Sequence, residues 1–137
     1  MVPGKPAAII ALLALPGCAA TPAEQRRSPA AQRELARALE GRAAGPAVRC
    51  IRNFPTSEMQ VVDDFAILFR DGRTIYLQQP RGGCPGIGNH SRTLVTRPFG
   101  VNQLCDGDIN HLVDFSTGMQ GGACVFGPFV PYTRTGA

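Results

Sequence analysis

The reactive side chains of this chain are few and lie mostly after residue 49. After residue 49 there are two histidines (His90, His111), seven acids (Glu58, Asp63, Asp64, Asp71, Asp106, Asp108, Asp114) and the cysteines Cys50, Cys84, Cys105 and Cys124. His111 stands three residues after Asp108 and three before Asp114, so an imidazole and a carboxylate could cooperate as a general base. Ser91 or Ser116 could complete a triad in space. Neither serine sits in a Gly-x-Ser-x-Gly elbow, so local spacing does not require one. Asp106-Gly107-Asp108-Ile109-Asn110 offers oxygen ligands at alternate positions, as a calcium loop begins. An EF-hand then needs Gly at the sixth position and Glu at the twelfth, where this chain has His111 and Thr117. The segment reads instead as a turn, which Asp and Gly favour. Zinc would need a Cys-x-x-Cys pair that the chain lacks, so no metal and no cofactor are expected. Gly82 to Asn89 is glycine-rich without the Gly-Lys-Ser/Thr of a phosphate loop. The aromatic residues lack interleaved basic clusters, so no nucleic acid is expected as a partner.

The amino-terminal residues carry an address rather than chemistry. Lys5 precedes an unbroken apolar run from Ala7 to Leu15. A membrane-spanning helix needs about 20 such residues, and this run is less than half of that. It has the length of the core of an export signal. Leu15-Pro16-Gly17-Cys18 resembles the bacterial lipobox. That resemblance implies a signal peptide over 1–17, cleavage before Cys18, and a diacylglyceryl thioether on Cys18 that makes the membrane a partner. Ala19 in place of Asp points to the outer membrane, facing the periplasm. The alternative is an ordinary secretory signal with a chance cysteine. Cysteine arithmetic favours the lipid: an exported chain with five cysteines leaves an odd thiol. Assigning Cys18 to lipid leaves four, enough for two disulfides.

These side chains must be positioned by one small domain. The expected layout is a signal peptide (1–17), a lipidated tether with a short helix (18–47) and a β domain (48–137). Between residues 19 and 49, six arginines (26, 27, 33, 37, 42, 49) face three glutamates (24, 34, 40); from residue 50 onward, seven arginines balance seven acids. The β domain is therefore neutral overall, and the tether arginines read as solvated or as contacts to anionic head groups. Ser28 can cap a helix that starts at Pro29, with Ala31, Leu35, Ala38 and Leu39 on one face and Gly41 at its end. Whether that helix docks is left open by so few apolar residues.

After residue 48 the texture is β. The clearest element runs from Val61 to Gln79, with Asp71-Gly72 between apolar runs as a type I′ hairpin turn. That turn would pair Phe69 with Thr74 and Leu68 with Ile75. Both faces of the hairpin are apolar, which predicts cover on both sides. Further strands are expected at 49–52, 93–97, 111–115 and 123–126. The expected fold is mainly β, a small disulfide-stapled barrel or roll of five to six strands. Four cysteines permit three connectivities; Cys50–Cys124 with Cys84–Cys105 is the favoured one, joining the domain's ends and closing the Gly-rich loop. Residues 126–132 are expected to wrap the domain, since Pro128 and Pro131 cannot donate to a central ladder.

Cys50-Ile51, Phe69-Arg70-Asp71-Gly72, Arg81-Gly82-Gly83-Cys84, Leu104-Cys105, Gly107-Asp108-Ile109, Gly122-Ala123-Cys124-Val125 and Phe129-Val130-Pro131-Tyr132 occur together over residues 41 to 134. This pattern resembles a group of small uncharacterised lipoproteins of sphingomonad-like alphaproteobacteria. The resemblance implies an exported location and four paired cysteines, and nothing catalytic. The sequence therefore predicts a cell-envelope lipoprotein acting as a non-enzymatic binding or structural module, with an envelope protein as a possible kind of partner. The competing expectation is a small periplasmic enzyme using His111 with Asp108 or Asp114.

Overall fold

The computed structural model describes residues 3–4, 27–53, 58–89, 91–96 and 102–136. Cys18, most of the leader and His90 lie outside these residues. The described chain forms one helix, α1 (Pro29–Ala38), and ten strands: β1 (Arg42–Ala44), β2 (Cys50–Arg52), β3 (Glu58–Asp63), β4 (Ala66–Asp71), β5 (Thr74–Gln78), β6 (Arg92–Thr96), β7 (Gln103–Cys105), β8 (Ile109–Asp114), β9 (Gln120–Val125) and β10 (Phe129–Arg134). They assemble into a five-stranded sheet in the order β1-β10-β5-β4-β3, a β2-β7 pair and a β6-β8-β9 sheet. All the pairings are antiparallel. The fold is mainly β and stapled by two disulfides, as expected. It is a roll of three sheets and not a closed barrel.

Helix α1 begins where its capping chemistry allows. The Ala31 N–H donates to Ser28 Oγ at 3.2 Å, and Pro29 fills the first turn, where no N–H is needed. The helix stops at Leu39, and Gly41 at φ +68° turns the chain into β1. Leu35, Ala38 and Leu39 pack on Ala66, Leu68, Ile75 and Leu77 of the large sheet. The helix therefore docks. Ahead of its cap, Arg27 Nε donates to Asp63 Oδ2 at 2.9 Å, with the two side chains only 4% and 18% exposed. Breaking such a pair by removing one partner costs about 3–5 kcal/mol, because the other charge stays buried.

The opposite face of the same sheet meets the other two sheets. Ile67, Phe69 and Phe129 pack there with Ile51, Leu104, Leu112, Phe126 and the Cys84–Cys124 bridge. Phe69, Phe126 and Phe129 meet edge to face in all three pairs, with centroids 5.6–6.0 Å apart. Such pairs add about 0.5–1.5 kcal/mol each beyond their burial. Alternation along β4 sends Ala66 and Leu68 to the helix side and Ile67 and Phe69 to the other. The predicted cover on both faces of the hairpin is what the fold provides.

The hairpin register differs from the expectation by two residues. Asp71 pairs with Thr74, and Phe69 with Tyr76. Gly72 has φ +57° and Arg73 has no positive φ, the pattern of a type II′ turn with Gly at its first central position. A type I′ turn on Asp71-Gly72 would have forced Asp71 to positive φ. A shift of two preserves the face of every side chain, so the core is unaffected.

Two further expectations are corrected. The bridges are Cys50–Cys105 and Cys84–Cys124, not Cys50–Cys124 with Cys84–Cys105. Cys50 and Cys105 are direct register partners on β2 and β7. The domain's ends are joined not by a disulfide but by β1 pairing with β10. In addition, the segment 126–132 does supply an internal strand, because β10 lies between β1 and β5. In an antiparallel strand a residue directs its N–H and C=O to the same neighbour. The Pro131 carbonyl accepts from Gly45 N at 2.8 Å, so its missing N–H falls where β1 has already ended. The preceding turn is fixed by buried Gln78. Its Nε2 donates to the Gly127 carbonyl at 2.9 Å, and its Oε1 accepts from the Gly127 amide at 2.7 Å.

The bridges close loops with sequence separations of 55 and 40 residues. Each contributes about 4 kcal/mol in the chain-entropy account. They differ in burial: Cys84 and Cys124 belong to the core, whereas Cys50 is exposed. Non-reducing peptide mapping should recover Cys50 linked to Cys105 and Cys84 linked to Cys124. Under graded reductant without denaturant, the Cys50–Cys105 bridge should open first. A Cys50–Cys84 fragment, or earlier loss of the Cys84–Cys124 bridge, would contradict this arrangement.

Candidate functional site

His111 lies on β8, the middle strand of the three-stranded sheet, with Val95 and Ala123 as its cross-strand partners. Three residues along a strand reverse the side-chain direction, whereas on a helix they share a face. The spacing of Asp108, His111 and Asp114 therefore does not gather them. Among the described residues, no hydrogen bond or ion pair engages the His111 ring.

Each candidate acid instead holds a turn. Asp108 Oδ2 accepts from the Cys105 amide at 2.7 Å, placing the carboxylate beside the β2-β7 disulfide. Asp114 closes the turn between β8 and β9. Its Oδ1 accepts from the Ser116 amide at 2.8 Å, the Ser116 hydroxyl at 2.5 Å and the Thr117 amide at 3.2 Å. Its Oδ2 accepts from the Ser91 hydroxyl at 3.3 Å. Both serines proposed as nucleophiles thus donate to Asp114 and not to His111. The Ser116 hydroxyl, then its amide, hold the Asp114 carboxyl below the usual carboxylate range against the opposing effect of desolvation, with smaller help from the Thr117 amide and the Ser91 hydroxyl.

The oxygens of the apparent calcium loop also diverge. Asp106 Oδ1 pairs with Arg81 Nη2 at 2.5 Å. Asn110 is fully buried: its Nδ2 donates to the Asp108 carbonyl at 3.1 Å, and its Oδ1 accepts from the Thr96 hydroxyl. The described residues contain no group of three His, Cys, Asp or Glu side chains that could hold a metal. The Gly-rich loop wraps a carboxylate of its own chain. The Gly86 and Gly88 amides donate to Asp64 Oδ1 at 3.2 and 3.3 Å, and the Cys84 amide donates to the Asp64 carbonyl at 2.6 Å. Gly83, at φ +82°, lies against the Phe65 ring so closely that a Cβ would meet Cε1 at 2.6 Å. Gly83 is needed for that packing.

Among the described residues, two concavities stand out. One is a cleft of about 330 Å³ between the sheets, with Phe69, Leu94, Leu104 and Phe126 at its base and Asn53, Met59 and Thr96 among its walls. Its size falls at the lower end of small-molecule pockets, and polar and apolar groups share its lining. The other is a groove of about 560 Å³ at the edge of the large sheet, bordered by Arg42, Arg73 and Arg134. From the sequence, Arg73 and Arg134 count only toward net charge and Arg42 reads as a solvated tether residue or a head-group contact, because only strand pairing and a turn bring the three together. The tether arginines also divide: Arg27 is buried on Asp63, Arg33 and Arg37 are exposed on α1, and Arg42 enters the groove.

Set against protein-family models, curated proteins and solved structures, the chain has no significant match in any of the three. Among the described residues, no helix is long and apolar enough to cross a membrane.

The Asp114 turn makes a testable claim. A carboxyl whose folded value is lowered contributes stability above its unfolded value and loses it as pH falls through the folded one. The turn should therefore be fully stabilising above the ordinary aspartate value of 3.8 and weaken below it. Carbon-detected NMR titration should place the Asp114 midpoint below 3.8, and Ser116→Ala should raise it. A midpoint at or above 3.8 would refute the hydrogen-bonded turn.

Proposed function

We propose that this chain is a lipoprotein of the cell envelope, anchored through Cys18, whose β domain serves as a non-enzymatic binding module. The observation that carries the second half is the fate of the candidate catalytic groups. Asp108, Asp114, Ser91 and Ser116 all hold backbone or one another, and none of them hydrogen-bonds to His111 among the described residues. A general base needs a positioned partner within hydrogen-bond reach, and His111 has no such partner there. The two concavities support a binding role, since a rigid stapled scaffold presents them with little ordering cost.

The first half rests on the leader. The apolar run is too short to span a bilayer, and Cys18 is the odd cysteine once the four in the domain are paired. Two or more acyl chains on one residue give stable attachment, where a single chain gives only marginal binding. Ala19 favours the outer membrane and a domain facing the periplasm. The resemblance to small alphaproteobacterial lipoproteins agrees with that location. An envelope protein fits as partner for a domain of this kind, and its neutral overall charge disfavours nucleic acid.

Cell fractionation tests the anchor. The wild-type chain should sediment with outer-membrane vesicles and carry the mass of its acyl groups. Cys18→Ser should move it to the soluble fraction. Unchanged sedimentation of Cys18→Ser, together with no acyl mass on the wild type, would rule the anchor out.

A further inference from the structure

Among the described residues, one end of the five-stranded sheet gathers three arginines and no acid paired to them. Arg42 begins β1, Arg73 sits in the turn between β4 and β5, and Arg134 ends β10; with Gly72, Thr133 and Gly136 they line the groove of about 560 Å³. Arg42 and Arg134 are direct partners in the β1-β10 register. Like charges facing each other across a ladder are destabilising, so the pairing has a cost that an anion would offset. The ion pairs of the described residues are Arg27–Asp63, Arg52–Asp71 and Arg81–Asp106, and none involves a groove arginine. The acids nearest in sequence give no relief: Asp71 is engaged by Arg52, and Glu40 is exposed and outside the lining.

The groove is also organised. Arg42 Nη1 donates to the Arg73 carbonyl at 2.7 Å and to the Tyr132 carbonyl at 3.3 Å. These bonds fix the guanidinium between turn and strand and leave the donors on Nη2 and Nε for a ligand. A Cβ placed on Gly72 or Gly136 would meet nothing within 4 Å, so the mouth is open.

We propose that this groove binds a phosphate group carrying two charges. The inference deepens the binding-module reading and rests on it. A carboxylate offers one charge and two oxygens. A phosphate monoester offers close to two charges and three strong acceptor oxygens, which suits three guanidinium groups better. Guanidinium–phosphate bonds are charge-assisted and frequently bidentate. The groove lies at the Gly72 end of β4, whereas α1 enters the fold beside Asp63 at the opposite end. The ligand site and the tether attachment are thus separated by the length of the strand.

The test titrates inorganic phosphate at low salt and neutral pH into the chain carrying Cys18→Ser, which removes the acylation site whether or not the wild type is acylated. A failed anchor test therefore leaves this one readable. The amide signals of Gly72, Arg73, Thr133 and Gly136 should shift saturably. The double variant Arg73→Gln/Arg134→Gln should weaken binding about tenfold or more. Arg33→Gln/Arg37→Gln, an equal charge change on the exposed helix face, should leave it unchanged. Arg134→Gln alone should raise the Tm in phosphate-free buffer and reduce the phosphate-dependent rise seen in the parent. Phosphatidylcholine vesicles with and without phosphatidic acid form the second arm. Retention by phosphatidic acid alone, lost in the groove variant, assigns the phosphate to a lipid head group; a response to inorganic phosphate assigns it to a soluble group. Equal weakening by both double variants, or no response to either probe, overturns the proposal.

Discussion

Burial of β4 on both faces is the constraint that organises the rest of this fold. Ala66, Ile67, Leu68 and Phe69 are all at most 4% exposed, and they alternate between two separate cores. A strand of that kind cannot sit in a sheet with one solvated face. It requires cover on each side, and the chain supplies two kinds: a docked helix before the sheet, and two smaller sheets with a buried disulfide after it. A domain of this size has a thin core. Sharing one strand between two cores lets the same backbone hydrogen bonds serve both. Phe69, Phe126 and Phe129 then link the hairpin to the carboxy-terminal segment, so the two share one aromatic cluster.

The polar groups follow from the same arrangement. Three sheets joined by short turns leave many backbone amides with no ladder partner, and side chains must satisfy them. Asp63, Asp64, Asp108 and Asp114 each accept from nearby amides, while Gln78 satisfies both the amide and the carbonyl of Gly127. Four of the seven acids of the domain thus act as turn holders. This is why residues with catalytic potential on paper contribute to architecture instead. The arginine groove is the contrasting case, a set of charges paired with no acid among the described residues.

What could be read from the sequence was what depends on neighbours along the chain. Ser28-Pro29 marked the helix start, alternation marked the hairpin and its two apolar faces, and an even number of domain cysteines implied two bridges. What could not be read depends on partners far apart in the chain. Cys50 finds Cys105 only because β7, three residues long, pairs with β2. β1 is Arg-Ala-Ala and has no strand signature of its own; it is a strand because β10 offers it an edge. β10 was discounted for its prolines, yet a proline is tolerated where the neighbouring strand ends. Arg42, Arg73 and Arg134 became a site for the same reason, through a pairing that no local pattern announces.

The placement of β10 has a consequence for how the chain matures. It is the last described strand, yet it lies between β1 and β5 and carries Phe129 into the main core. Cys124, the partner of Cys84, also comes late. A chain emerging amino end first, from a ribosome or through a translocation pore, holds β1 without a neighbour and the hairpin with one flank open until these residues appear. The sheet cannot complete early. Such a vectorial delay holds back closure of the sheet and of the inner bridge until nearly the whole chain has emerged.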